Sequence, residues 1–380
     1  MLKSHLILIG LIVLFSTNSY AFTLHFWDAN GSSPGATTEN NQATGTWGVD
    51  PFWTENPNGT TDTTSWPSGQ IAVFAAGNDA FGTYTVTVQD TQQVVDIHVD
   101  SGQVTFQGGN LNLDASGVRL LSVGHKDPNA VARYNTVLSG ANGIIRYKQG
   151  ILILGATNTY AGSTTIEGGV LRLGASHVMP TNSSLILANN DVTRGDFSPE
   201  WQFVPATFET DGFSQQLGTL RLGGVEASVQ RVIDFGNASS ALSFADSGAE
   251  NWSGLQLTVL NYTPGADTLR FGENNNGLTL AQLELIQFAN LSNLPGQIDA
   301  NGFVTPMLPV FLSVQRTPPS HVELTWSAVS GRNYRVQFKE SLNEDWINLT
   351  PDIFAFGATS NFSDTTATST NRFYRVQVLP

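Results

Sequence analysis

Cysteine is absent from the 380 residues, and cations are scarce, with 17 Lys and Arg against 31 Asp and Glu. Without cysteine there is no disulfide, no thiol nucleophile, no Cys-ligated zinc and no iron–sulfur cluster. A formal charge of −14 argues against nucleic acid or an anionic membrane surface as partner, since both demand clustered cations. Charged residues make up only 13% of the chain, about half the usual globular share. From residue 22 to residue 118 there is no Lys or Arg at all, although ten acids fall there. Long apolar runs are missing too. The run at residues 6–15 is about half the length of a membrane span. It follows Lys3 and precedes Ser19, Tyr20 and Ala21, so residues 1–21 read as an export signal cleaved after Ala21. No transmembrane segment is expected in the mature chain.

What is present is a succession of short strand signals rich in Val, Ile, Thr and aromatics, bounded by Gly, Asn, Asp or Ser. Residues 84–88, 95–99, 103–106 and 111–113 alternate with period two, and 151–154, 164–166, 170–173 and 185–187 continue the series. Strands of three to five residues at short intervals fit a solenoid better than a sandwich, because a solenoid turns after each one. In such a coil alternate apolar side chains point inward while Thr and Asn point outward. Only stacking buries the inward face. Gly108-Gly109 and Gly168-Gly169 read as corners. One helix is predicted where Thr279 and Gln282 form a capping-box pattern ahead of Leu283, Leu285, Ile286 and Phe288, ending by Asn290 or Pro295. Two breaks interrupt the pattern, at residues 189–205 and 305–309. Across the second the charge changes: residues 22–306 hold ten Lys/Arg and twenty-five Asp/Glu, residues 307–380 six of each. The expected division is a signal at 1–21, an all-β solenoid at 22–306 and a small sandwich at 307–380.

Leu152, Leu154, Asn158, Tyr160, Gly162, Thr164, Ile166, Gly169, Leu171, Leu173 and Gly174, within residues 143–174, resemble the autotransporter-associated β-strand repeat. That resemblance implies a right-handed parallel β-helix, export and a passenger or cell-surface role, and it implies no catalytic residue. The Trp27-to-Gly31 opening and residues 242–247, 268–272, 278–288 and 302–306 look like the flanking blocks of secreted bacterial proteins that carry the repeat. No room follows the solenoid for an outer-membrane barrel, so a self-transporting autotransporter is not expected. Residues 307–380 resemble a fibronectin-III-like sandwich, with Trp326 as its core tryptophan and residues 334–338, 346–349 and 373–378 as later strands.

The search for chemistry finds no nucleophile elbow, zinc-protease helix or phosphate loop. His98 falls between Ile97 and Val99 and is expected to face outward. Asp96, Asp100, Asp114, Asp191 and Asp196 are the acids to weigh for glycan cleavage. Asp96 and Asp100 share one strand face about 13 Å apart, too far for joint action, so a solvated face is the simpler reading. Loops 76–79, 189–191 and 272–277 offer oxygens hard enough for calcium, which turn chemistry explains equally well. Trp27, Trp47, Trp53 and Trp66 could stack on sugar rings or plug the open end of the solenoid, and plugging is preferred. The expectation is a non-enzymatic exported structural or adhesive protein without catalytic, cofactor or metal residues. A glycan-binding or glycan-cleaving β-helix, with extracellular polysaccharide as partner, is the alternative.

Overall fold

The computed structural model describes residues 22–37, 39–113, 119–188, 204–224, 229–252, 254–317, 319–369 and 371–379. The export signal expected at residues 1–21 lies outside them. Short alternating strands between turn residues leave each strand with one apolar face and two open edges. Both are resolved by coiling. Leu152 stands in register with Ala132 one coil before and Leu171 one coil after, and all three are buried.

Repeated through the chain, this pairing builds two long ladders that are parallel throughout their coils. The first runs through Leu24–Trp27, Gln70–Phe74, Thr91–Val99, Arg119–Val123, Ile144–Tyr147, Thr164–Ile166, Leu185–Leu187 and Leu220–Leu222. The second runs through Gly45–Trp47, Thr83–Val88, Gln103–Asn112, Val131–Ser139, Ile151–Leu154, Gly169–Leu173, Ala206–Glu209, Arg231–Asp234, Leu257–Leu260 and Ile286–Phe288. A short third ladder joins Gln215–Leu217, Ala241–Phe244 and Thr268–Phe271. The product is a parallel β-helix. Its core is made of stacked columns such as Val104, Ala132, Leu152, Leu171, Phe208, Ile233, Val259 and Phe288, every member 5% exposed or less. Each large apolar side chain so buried contributes about 1.5–3 kcal/mol relative to exposure. Among the described residues no helix is long and apolar enough to cross a membrane.

Three expectations change in detail. Residues 103–106 and 111–113 are not separate strands around a corner. One strand, Gln103–Asn112, runs through Gly108 and Gly109, which take φ of +76° and +32° at a register shift between Gln107 and Asn110. A Cβ on Gly109 would meet Val88 O at 2.6 Å, so the bulge requires glycine there. Strands also reach nine residues, as in Thr91–Val99 and Val131–Ser139, longer than the three to five expected. The helix forms with its capping box, Thr279 accepting from Gln282 N while the Gln282 side chain reaches back, but it spans only Leu280–Leu285. Ile286 and Phe288 turn extended instead, because the second ladder offers them paired strand positions at 0% exposure.

Beyond Pro306 the chain forms two small antiparallel sheets. Phe311–Thr317, His321–Ser327 and Thr359–Asp364 make one, and Asn333–Lys339, Ile347–Asn348, Ile353–Phe354 and Phe373–Val378 the other. Trp326, at 0% exposure, sits in a core with Leu324, Tyr334, Val336 and Phe362 that shares no member with the β-helix core. This sandwich completes the all-β fold.

Candidate functional site

The repeat residues occupy one coil, and each has a structural task there. Asn158 is buried at the corner after Ile151–Leu154. Its Oδ1 accepts from Leu138 N at 2.8 Å and its Nδ2 donates to Ala156 O and Val178 O at 2.9 Å, tying the coil to both neighbours. The Tyr160 hydroxyl and Thr164 Oγ1 lie 2.7 Å apart, and Thr164 Oγ1 lies 3.1 Å from Ser183 Oγ. Gly162 takes φ +79°, where a Cβ would meet Gly143 N at 2.8 Å. Asn158, Tyr160, Thr164 and Ser183 are each 3% exposed or less.

The column Ile97, Leu121, Arg146, Ile166, Leu187 and Leu222 contains a guanidinium inside the β-helix. Arg146 is 0% exposed. It donates to the carbonyls of Tyr147, Lys148, Gly150 and Val170, so backbone dipoles take the place of a carboxylate. Burial lowers its pKa to about 9, against a smaller raising effect from Tyr134. Gly169, a repeat residue at φ +67°, leaves the space: a Cβ there would collide with the Arg146 guanidinium and Lys148 O. Arg119 and Arg231 also point inward and are each 1% exposed. Arg119 donates to Leu113 O, and Arg231 to Gly223 O and Val229 O. The expectation that Thr and Asn point outward fails at Thr164, which is 0% exposed and in register with Ile144, and three arginines, on which that expectation is silent, also stand inside. The signal was available, since Arg146 shares the phase of the inward-facing Ile144.

The four early tryptophans come together as one aromatic cluster. Trp27, Trp47 and Trp53 are 0% exposed, and Trp66 is partly buried against them. Ring centroids lie 5.1 Å apart for Trp27 and Trp53, 5.0 Å for Trp47 and Trp66, and 4.4 Å for Trp53 and Trp66. The antiparallel strand Trp53–Thr54 pairs with Leu24–Trp27, the first strand of its ladder, opposite the side taken by Gln70–Phe74. The rings lie inside this closure, and no face of Trp27, Trp47 or Trp53 is open to a sugar ring.

The acidic face differs from a solvated one. Asp96 is 9% exposed and accepts from Leu120 N at 2.7 Å; Asp100 is 6% exposed and pairs with Lys126 at 3.3 Å. Both join their strand to the next coil. His98 does lie on the outer side, in register with Val73 and Ser122, but it is half-buried and its Nε2 has no hydrogen-bond partner. Burial lowers its pKa, with Asp96 and Asp100 opposing. Asp114, Asp191 and Asp196 lie outside the described residues.

Of the calcium loops, Asp79 spends its oxygens on Ala36 N, Thr37 N and Thr37 Oγ1. Asn274 closes its own turn by accepting from Asn276 N, and loop 189–191 lies outside the described residues. Among the described residues no three His, Asp or Glu side chains converge as metal ligands.

Residues 149–173 match the family described as the passenger-associated-transport-repeat. Over 184 residues the chain is 26% identical to the adhesin BmaC autotransporter of Brucella suis biovar 1 (strain 1330), covering 48% of this chain and 5% of that protein. The chain thus spans about a twentieth of that relative's length. No solved structure matches it significantly.

Proposed function

We propose that this protein, which carries a passenger-associated-transport repeat within a parallel β-helix, is an exported, non-enzymatic adhesive protein of the cell surface or extracellular matrix. The observation that carries this reading is the repeat coil itself. Its buried polar side chains Asn158 and Thr164 bond to neighbouring coils, which suits a coil that extends a rigid rod. The likeness to an adhesin supports the adhesive part, and the apolar run behind Lys3 supports export.

The rod's surface is acidic. Of the ten Lys and Arg in residues 22–306, Arg119, Arg146 and Arg231 are withdrawn into the core. Contact through such a surface favours cationic or cation-bridged partners and weakens with salt.

The glycan-active alternative loses its aromatic platform, because Trp27, Trp47 and Trp53 are enclosed. The test is cell fractionation together with attachment of a deletion strain. The expected result is mature protein in the surface or medium fraction, with attachment falling severalfold and recovering on complementation. Retention in the cytoplasm, unchanged attachment, or turnover of a polysaccharide by the purified protein would overturn the proposal.

A further inference from the structure

The C-terminal sandwich is open along one side. Phe373–Val378 pairs antiparallel with Asn333–Lys339 and, among the described residues, with no other strand. In the facing sheet Phe311–Thr317 likewise pairs only with His321–Ser327. These two free edges lie on the same side. Ile353–Phe354 contacts Thr359–Asp364 at the opposite side, and Leu308 and Pro309 border the same cavity as residues 375–378.

The core-facing residues next to the free edges are uncovered. Val314 is in register with Leu324, which is 0% exposed, yet Val314 is itself 55% exposed. Tyr374, Val376 and Val378 are only partly buried, although Val376 and Val378 oppose Val336 and Tyr334, each 1% exposed. The opening is thus bordered by two edge strands carrying Val314 on one side and Tyr374, Val376 and Val378 on the other, and towards one end Arg316, on the same face as Val314, donates to Ala367 O and Ser369 O. Free edges are usually blunted by Lys, Pro or inward charge. Phe373–Val378 has no Lys or Pro, and its single charge, Arg375, points outward.

We propose that this opening is filled by the same strand of a second copy of this chain, paired antiparallel about a two-fold axis at Val376. The choice of occupant rests on self-complementarity. In that register Val376 faces Val376, Tyr374 faces Val378, Phe373 faces Leu379 and Arg375 faces Gln377. Apolar residues thus meet apolar ones, and no like charges are opposed. The partner's Tyr374, Val376 and Val378 fall on the core side, where they cover Val314. A cavity of about 380 Å³ separates residues 375–378 from Asn290, Leu291, Ser292, Leu294, Leu308 and Pro309 of the same chain, so the incoming strand must seat between the sandwich edge and the end of the β-helix. The C-terminal segment holds six Lys/Arg and six Asp/Glu, so no net repulsion opposes its pairing, unlike two acidic rods side by side. A dimer joined at this end would present two rods and gain avidity for a surface without any new contact.

The register can be tested by a charge swap on Arg375 and Gln377, which are exposed on the outer face; because Arg375 also donates to Gln337 Oε1 and lies over the Trp346 ring, Arg375→Glu alone serves as the control for losing those contacts. Gln377→Arg sets Arg375 against a second arginine twice per dimer and is expected to weaken dimerisation about tenfold. Arg375→Glu combined with Gln377→Arg is expected to restore it. Sedimentation equilibrium of the full mature chain over a wide concentration range measures the constant, and circular dichroism confirms that each variant is folded. Hydrogen exchange should show the edge-facing amides of Tyr374, Val376 and Val378 protected in the dimer and not in the monomer, whereas those of Arg375 and Gln377 pair with Asn333–Lys339 in both. A chain that stays monomeric, a dimer indifferent to Gln377→Arg, or a folded swap that fails to recover each refutes the proposal.

Discussion

Asp28 is 0% exposed beside the first coil, its Oδ1 accepting from Asn30 N at 3.1 Å and its Oδ2 without a partner. Burial raises its pKa from 3.8 to about 6; hydrogen bonds from Asn30 and Gly31 oppose this, and the charge of Asp79 adds to it. The folded chain therefore holds this proton more tightly than the unfolded chain does. The stabilisation is complete below pH 3.8 and is lost as pH rises through about 6. Asp28→Asn removes that loss. The variant is expected to melt several degrees above wild type at pH 8 and close to it at pH 4, by scanning calorimetry. An equal offset at both pH values would contradict the assignment. His98 has the opposite sign: its lowered pKa gives a stabilisation present above pH 6.5 and lost as pH falls. Residues of this kind are poorly legible in a sequence. The position of Asp28 in the opening block is visible, whereas the burial that moves its pKa depends on residues such as Gly59 and Asp79, distant along the chain.

At the scale of the element, the repeat coil is held by side chains that join it to its neighbours. Asn158→Ala leaves Leu138 N and Val178 O without their side-chain partner, at a cost of about 2–4 kcal/mol. Asn158→Asp keeps an acceptor for Leu138 N but sets a carboxylate against the carbonyls of Ala156 and Val178. It is expected to be at least as destabilising at neutral pH and to recover partly in acid. Urea melts at two pH values separate these outcomes, and a neutral Asn158→Ala variant would remove the coil-tying role. Strand positions were largely readable: Ile151–Leu154, Thr164–Ile166 and Leu185–Leu187 fall where alternation and turn residues put them. The misread Gly108-Gly109 pair shows the limit, since left-handed φ serves a bulge as well as a corner.

For the whole molecule, the β-helix and the sandwich have cores with no common residue, which predicts two unfolding transitions. Trp326→Ala is expected to cost the smaller transition about 3–5 kcal/mol and leave the other in place. A single transition displaced as a unit would show that the two cores fold together. The sequence by itself determined the all-β character, because alternation of period two commits short segments to strands whatever they pair with. It also determined the stacking, because a single coil of short alternating strands cannot bury its apolar face alone. The tertiary structure alone decided which polar groups stand inside: Arg146 is tolerated in the core only because Gly169, a coil later, leaves it space and four carbonyls converge on it. It likewise decided that three tryptophans are core and that one side of the sandwich is open. Burial and edge pairing are sums over residues far apart in the chain, and no local pattern contains them.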